Sequence, residues 1–269
     1  MTALCATTIR PLSAELSYVT HNKVARLALR RASVENRLTP TLAGELVSLC
    51  EAAEDNEDVD IVVVTGSDTA FCTGLETDDG APVHTVSDIR SHFSTLQCVS
   101  AVAALTKPTI AAISGDALGI GLELALACDL RLAVDGAHFG LPQVADGLIP
   151  FCGGTQRLPR IVGQAKALEL ILTATVIDAT EALRIGLVSA IANRSIFTNR
   201  VDEIVNGLLG KGPIALRLGK EAVHKAMDLT LDQGMRLEED LYALLQTTQD
   251  RAEGVKAFLS KKKPNFTGQ

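Results

Sequence analysis

Between Asp60 and the Thr65-Gly66 pair the chain runs Ile61-Val62-Val63-Val64, a β-branched stretch with no polar alternation. A strand with apolar side chains on both faces has to be covered on both, as in a parallel sheet flanked by helices. A second such strand is expected over residues 109–113. Ahead of Ile61, Thr39 makes a good N-cap with Pro40 at the first helical position. Leu42, Leu46, Leu49, Cys50 and Ala53 then fall on one helical face. Residues 16–19 and 24–29 flank a polar turn at His21, Asn22 and Lys23 and read as a β-hairpin.

The alternation continues. Ile89, Phe93, Leu96 and Val99 mark one side of a helix that leads into the strand at 109–113. Residues 119–128 read as helical, and 130–134 and 137–139 as extended. Helices are expected over 155–161, 164–173 and 179–185, before a last strand near 187–191. From about Ser195 onward only helices are expected, with Leu231, Met235, Leu241 and Leu245 at helical spacing. The fold class is therefore α/β: a core over residues 1–194 and a helical section over 195–269. No Gly-, Pro- or Ser-rich linker separates them, which points to one unit with a docked or exchanged tail.

Composition removes several functional classes. With 269 residues and a prior of about 150 per domain, one or two domains are expected. Seven Phe, two Tyr, no Trp and a net charge of -7 leave little for stacking on bases or pairing with phosphates, so no nucleic-acid partner is expected. Apolar runs fall far short of the ~20 residues that span a bilayer, so no membrane partner is expected either. Met1 to Arg10 lacks a basic start followed by an apolar stretch, so no secretory signal is read there. Six cysteines stand at 5, 50, 72, 98, 128 and 152 without a CxxC, and no HxH or HxxxH occurs among the histidines. No metal site is expected; the thiols read as reduced and buried in a cytoplasmic protein.

Standard phosphate loops are missing as well. No GxxxxGK[ST] occurs, Gly119-Ile120-Gly121 lacks the third small residue of a dinucleotide fingerprint at Leu124, and GxSxG is absent. Two glycine-marked turns hold more promise: Phe71-Cys72-Thr73-Gly74-Leu75-Glu76, and the run from Ser114 through Gly119, Ile120 and Gly121 to Glu123. Each follows a buried strand. Glycine lets the backbone turn sharply and approach a ligand closely, and the start of a helix leaves N–H groups free to face negative charge. Two such turns can supply two backbone donors to one oxygen, or they can be no more than tight α/β connections.

With these motifs in order the chain resembles the enoyl-CoA hydratase/isomerase (crotonase) family along almost its whole length. Asn36 stands where the family has the Asn of its NRPxxxNA segment, although Arg31-Ala32 replaces Arg-Pro. Phe71 to Glu76 matches the family's F-[SA]-[AS]-G-[AG]-D turn, Lys107 to Gly115 matches KPxIAAxxG, and Ala117 to Glu123 matches ALGGGxE. Phe139-Gly140-Leu141-Pro142, Gly147 to Pro150 and Gly153 to Leu158 match FGxPE…G…P…GGTxRL, and Glu253 to Phe266 matches the family's ending.

The resemblance implies a crotonase-like spiral of ββα units acting on a substrate joined to coenzyme A as a thioester. Coenzyme A is then part of the substrate and no separate cofactor is expected. It implies an oxyanion hole from the N–H groups of Leu75 and Ile120, with Gly74, Gly119 and Gly121 shaping the substrate-binding turns. Ile120 replaces the usual Gly; its side chain narrows the acyl pocket or turns the peptide slightly. Glu123 takes the position of the first hydratase glutamate, a general acid/base, against the plainer reading of an exposed helical carboxylate. The second is replaced by Gln143, whose amide has no proton to exchange at neutral pH.

Asp146 is a candidate substitute for that lost carboxylate, a loop or helix-cap aspartate being the plainer reading. Asp116, Glu76, Asp78 and Asp79 lie near the turns and default to solvated loop charges, while Cys72 and Cys152 read as packing residues. Lys261 to Lys263 form the only basic run, either a solvated tail or a surface near the CoA phosphates, with Lys263 as the substrate-binding candidate. The helical C-terminal section resembles the part through which relatives form trimers and dimers of trimers, so a homo-oligomer is expected. The expected function is that of an enoyl-CoA hydratase. Because of Gln143, the alternatives are another reaction of the family (isomerisation, decarboxylation or thioester hydrolysis) or a non-catalytic acyl-CoA binder.

Overall fold

The computed structural model describes residues 8–11, 14–76 and 97–269. Most of the helix expected through Ile89, Phe93 and Leu96, together with Asp78 and Asp79, lies outside them. The described chain divides into two compact units. One holds the residues up to Leu105 and Thr109–Val201; the other holds Thr106–Pro108 and Asp202–Gln269.

The first unit is built on a sheet of seven strands among the described residues, in the spatial order β1-β2-β3-β4-β6-β8-β11. These are β1 (Thr8–Pro11), β2 (Leu16–His21), β3 (Val24–Leu29), β4 (Ile61–Thr65), β6 (Thr109–Ile113), β8 (Leu130–Val134) and β11 (Ala190–Ala192). The hairpin closes through Asn22 and Lys23, both at positive φ (49° and 63°), the requirement of a two-residue type I′ loop. From β3 onward every pairing is parallel. Ile61 to Val64 are at most 1% exposed, as a strand covered on both faces requires. One cover is α1 (Pro40–Asp55), capped by the Thr39 hydroxyl, which accepts from Leu42 N at 3.1 Å. Its buried side chains are Leu42, Ala43, Leu46, Leu49, Cys50 and Ala53.

A second sheet does not follow from the sequence pattern. Its order is β10-β9-β7-β5, formed by β5 (Ala70–Cys72), β7 (Asp116–Leu118), β9 (His138–Gly140) and β10 (Ile177–Asp178). None of these exceeds three residues. Strands this short carry no readable periodicity, and their pairing is entirely tertiary. β5 overlaps the start of the first glycine-marked run and β7 falls within the second, so each run joins a short strand to a turn. β1 likewise went unread, and the last strand lies at Ala190–Ala192 instead of 187–191.

Helices complete the first unit: residues 97–104 (α2), α3 (Ile120–Ala127), α4 (Gly154–Val162), α5 (Gln164–Leu172) and α6 (Ala179–Arg184). The division between units falls inside α7 (Arg194–Leu209). In the second unit α8 (Pro213–Lys225), α9 (Leu231–Gln246) and α10 (Gln249–Ser260) follow in series. A capping box between Thr230 and Gln233 opens α9. The Asp250 carboxylate is 4% exposed and accepts from Thr267 N (2.7 Å) and Gly268 N (3.0 Å), which ties down the final residues.

α3 packs directly on the backbone of β5. A Cβ on Gly121 would stand 1.8 Å from the Cys72 carbonyl oxygen. Gly121→Ala is therefore expected to cost about 3 kcal/mol through backbone displacement. Gly44, exposed in the middle of α1 with nothing within 4 Å of an added Cβ, is the control. Gly44→Ala is expected to stabilise by about 0.5–1 kcal/mol. Urea unfolding midpoints of the two variants should move in opposite directions.

Candidate active site

The first glycine turn leaves β5 at Cys72 and is pinned from behind. Leu38 N donates to Gly74 O at 3.0 Å, and Glu76 N donates to Leu38 O at 2.9 Å. Leu75 pairs with Leu38 in a parallel bridge. In that geometry the peptides flanking Leu75 carry the bonds to Leu38, so the N–H of Leu75 itself faces the opposite side. Gly74 has φ +150°, a conformation that side-chain-bearing residues rarely adopt. Behind the turn, the fully buried Asn36 donates to Ala70 O (2.6 Å) and accepts from Arg31 N (2.7 Å). Arg31 in turn pairs with Glu15 at 3.0 Å and with Glu76 at 2.6 Å. Asn36 thus supports the turn, and Glu76 is an ion-pair partner of the same support.

The second turn connects β7 to α3. Gly119 has φ +56° and is the N-cap of α3; its N–H donates to Gly140 O at 2.9 Å, and its carbonyl accepts from Glu123 N at 3.1 Å. The N–H groups of Ile120, Gly121 and Leu122 therefore belong to the open first turn of the helix. The two turns meet. A Cβ on Gly119 would lie 3.9 Å from Gly74 Cα and 3.7 Å from Gln143 Nε2. Gly74, Gly119 and Gln143 are brought together here, with the Leu75 and Ile120 amides on the two turns. The Ile120 side chain is itself buried.

Glu123 sits one helical turn further and is fully buried. Its Oε1 accepts from Cys152 N (2.7 Å) and Gly154 N (2.8 Å), the amides ahead of and opening α4. Its Oε2 faces Gln143 Nε2 across a long 3.4 Å contact. Removal from water pushes its carboxyl up to about 7, against the pull of the Gly154 and Cys152 amides and the Arg157 charge. Arg157 donates to Cys152 O at 2.9 Å and fits beside Gly153, where a Cβ would meet its Nη1 at 2.0 Å. The Gly153-Gly154 pair and Arg157 were legible as a motif without a role; they form the socket for Glu123.

The remaining candidates separate from this cluster. Asp146 ends the 3₁₀ turn Pro142–Asp146, is exposed, and makes no recorded bond to Glu123 among the described residues. Lys263 is exposed in the second unit. Asp116 holds His138 through N and Nδ1, both at 2.9 Å, on the exposed side of the small sheet. Burial pushes the Cys72 thiol up to about 12 and raises that of Cys152 as well, which leaves both as inert packing groups. No group of metal-ligating side chains occurs among the described residues.

A model of the enoyl-CoA hydratase/isomerase family matches residues 19–269. The chain is 40% identical over 248 residues to the crotonyl-CoA hydratase of Syntrophomonas wolfei, covering 91% of this chain and 94% of that one. It is 35% identical to the 2,3-dehydroadipyl-CoA hydratase of Escherichia coli, over 95% and 99% of the two chains. The crystal structure of the enoyl-CoA hydratase from Bacillus anthracis superposes with a TM-score of 0.89 at 33% identity, covering 98% and 99%. With the mixed α/β architecture, the paired glycine turns and Glu123 in its socket, these likenesses settle the family: the chain belongs to the enoyl-CoA hydratase/isomerase family and is an enoyl-CoA hydratase-like enzyme of CoA thioesters.

Proposed function

We propose that the enzyme adds water to a trans-2-enoyl-CoA thioester, with the thioester oxygen held by the N–H groups of Leu75 and Ile120 and Glu123 as acid/base. The observation that carries this reading is the Glu123 carboxylate, buried one turn past Gly119, with Oε1 occupied by two amides and Oε2 left toward Gln143. Fixed backbone donors stabilise an enolate oxygen without reorganising. A carboxyl held near 7 is poised both to take and to return a proton at neutral pH. Gly74 and Gly119 keep the approach free of side chains, whereas Gly121, expected to shape the substrate turn, instead lets α3 pack on the Cys72 backbone. Coenzyme A arrives with the substrate, so no separate cofactor enters the reading.

Gln143 beside Glu123 favours one second reading, a different enolate reaction of the family or acyl-CoA binding without turnover. The oligomer, a trimer or a dimer of trimers, belongs to the proposal too. The exposed Leu231, Tyr242, Phe258 and Leu259 of α9 and α10 support an interface there. Lys263 is proposed to serve the CoA phosphates. The five cysteines among the described residues are all buried, which suits a reducing cytoplasm. No helix among the described residues is long and apolar enough to cross a membrane.

Wild-type protein is expected to consume crotonyl-CoA, read as loss of the conjugated-enoyl absorbance. Glu123→Gln is expected to lose about 10²–10⁴-fold in kcat. An unaffected Glu123→Gln removes Glu123 from the chemistry; an inert wild type that still binds acyl-CoA selects the second reading. The same variant tests the carboxyl's environment. Its folded pKa, about 7, exceeds the ordinary 4.5, so the folded state binds the proton more tightly than the unfolded chain. The stability this contributes is full below about 4.5 and lost as pH rises through about 7. Relative to wild type, Glu123→Gln should therefore gain on the order of 3 kcal/mol between pH 4.5 and pH 8. Equal urea midpoints for the two proteins across that range would contradict the burial penalty.

A further inference from the structure

Gln143 sits at the second position of the 3₁₀ turn Pro142–Asp146, and its backbone is anchored by Leu148 N, which donates to Gln143 O at 3.0 Å. Its side chain is oddly matched to its surroundings. Nε2 faces Glu123 Oε2, while Oε1 is buried with no hydrogen-bond partner among the described residues. A buried amide oxygen without a donor is costly, and such a group calls for an O–H or N–H from something that binds beside it. The carboxylate atom facing the same amide is Glu123 Oε2, and it is the freer of the two because Oε1 is already taken by two amides. Two acceptors next to each other, one basic and one neutral, suit a molecule with two O–H donors.

Resting on the hydratase reading, we propose that Gln143 is a positioning residue: its Oε1 holds the attacking water, and Glu123 Oε2 alone carries both proton transfers. The water donates one hydrogen to Gln143 Oε1 and the other to Glu123 Oε2. Its oxygen bonds to the β-carbon as that O–H breaks, and the proton goes to Oε2. The π pair of the enoyl double bond becomes a π bond between the α-carbon and the thioester carbon, and the carbonyl π pair moves onto the thioester oxygen, held by the Leu75 and Ile120 amides. When the enolate collapses, its α-carbon takes the proton back from Oε2. The sum is one water added across one double bond, with Glu123 restored and Gln143 unchanged throughout. The role needs an acceptor in place and no titratable proton, which an amide oxygen satisfies.

The pH dependence follows from the groups around Glu123. Arg157 from α4 stays charged, and burial keeps the Cys152 thiol protonated, so neither titrates in the working range. Asp146 is exposed and is not among the charges acting on Glu123. Among the described residues a single ionisation is left, and the active form is the carboxylate.

The test follows hydration of a panel of trans-2-enoyl-CoA thioesters, from crotonyl-CoA upward, by wild type, Gln143→Met, Gln143→Glu and Glu123→Gln. For wild type, kcat/KM should rise through one limb near pH 7 and then stay level to pH 9.5. Gln143→Met removes the acceptor at similar volume, and kcat should fall about 10²-fold with KM little changed. Gln143→Glu should turn the single limb into a bell, because two coupled carboxylates titrate in two steps. A wild-type bell, or wild-type kcat in Gln143→Met, overturns the proposal while leaving the hydratase reading intact if Glu123→Gln is inactive. A wild type inert on the whole panel overturns both. The wild-type profile needs no variant and decides the matter even where Gln143→Met does not fold.

Discussion

The missing side chain of Gly121 sets the geometry of everything around it. With a Cβ position only 1.8 Å from the Cys72 carbonyl oxygen, the first turn of α3 lies directly on the backbone of β5. That approach brings the Gly119 junction against Gly74, so two turns 45 residues apart in the chain share one small volume. It also buries the Glu123 carboxylate, one turn past Gly119 along the same helix. The parallel sheet behind acts as a rigid base, since its central strands are buried on both faces and joined through continuous parallel ladders.

Burying Glu123 opposes stability, and the fold offsets it only in part. Two amides and the Arg157 charge favour the carboxylate, yet loss of hydration outweighs them and leaves the carboxyl near 7. A site with more donors would hold the charge more securely and make a weaker base. A drier site would raise the pKa further and leave little of the carboxylate at neutral pH. The observed balance fits a group that must exchange a proton in each turnover, at a cost in stability above neutral pH.

What could be read from the sequence follows from how locally each feature is encoded. The hairpin, the Thr39 cap and the buried face of α1 depend on neighbours within a few positions, and all stand in the structure where they were expected; the type I′ geometry of the hairpin loop is the structure's addition. Glycines at 74, 119 and 121 announced turns because glycine is a statement about backbone. Of the small second sheet only β9 was legible, as the extended stretch at 137–139. The rest was not, since strands of two or three residues have no period and exist only by pairing. Nor was the state of Glu123, whose amide partners stand 29 and 31 residues away. Asp146 shows the converse: three residues from Gln143 and in the same 3₁₀ turn, it is exposed and has no hydrogen bond to Glu123 among the described residues.

The exchange of a carboxylate for an amide at position 143 bears on this balance in a way that a count of catalytic residues misses. A second negative charge that close would disfavour ionisation of Glu123 and push its pKa beyond the value burial alone sets. Part of the base would then be lost at neutral pH unless the new carboxyl carried the proton instead. The amide leaves Glu123 to titrate alone, against fixed dipoles and one guanidinium. Its neutral oxygen still offers a lone pair to a donor. Gln143 therefore simplifies the electrostatics of the site without emptying it, and the full proton traffic falls on the carboxylate that Cys152 and Gly154 hold in place.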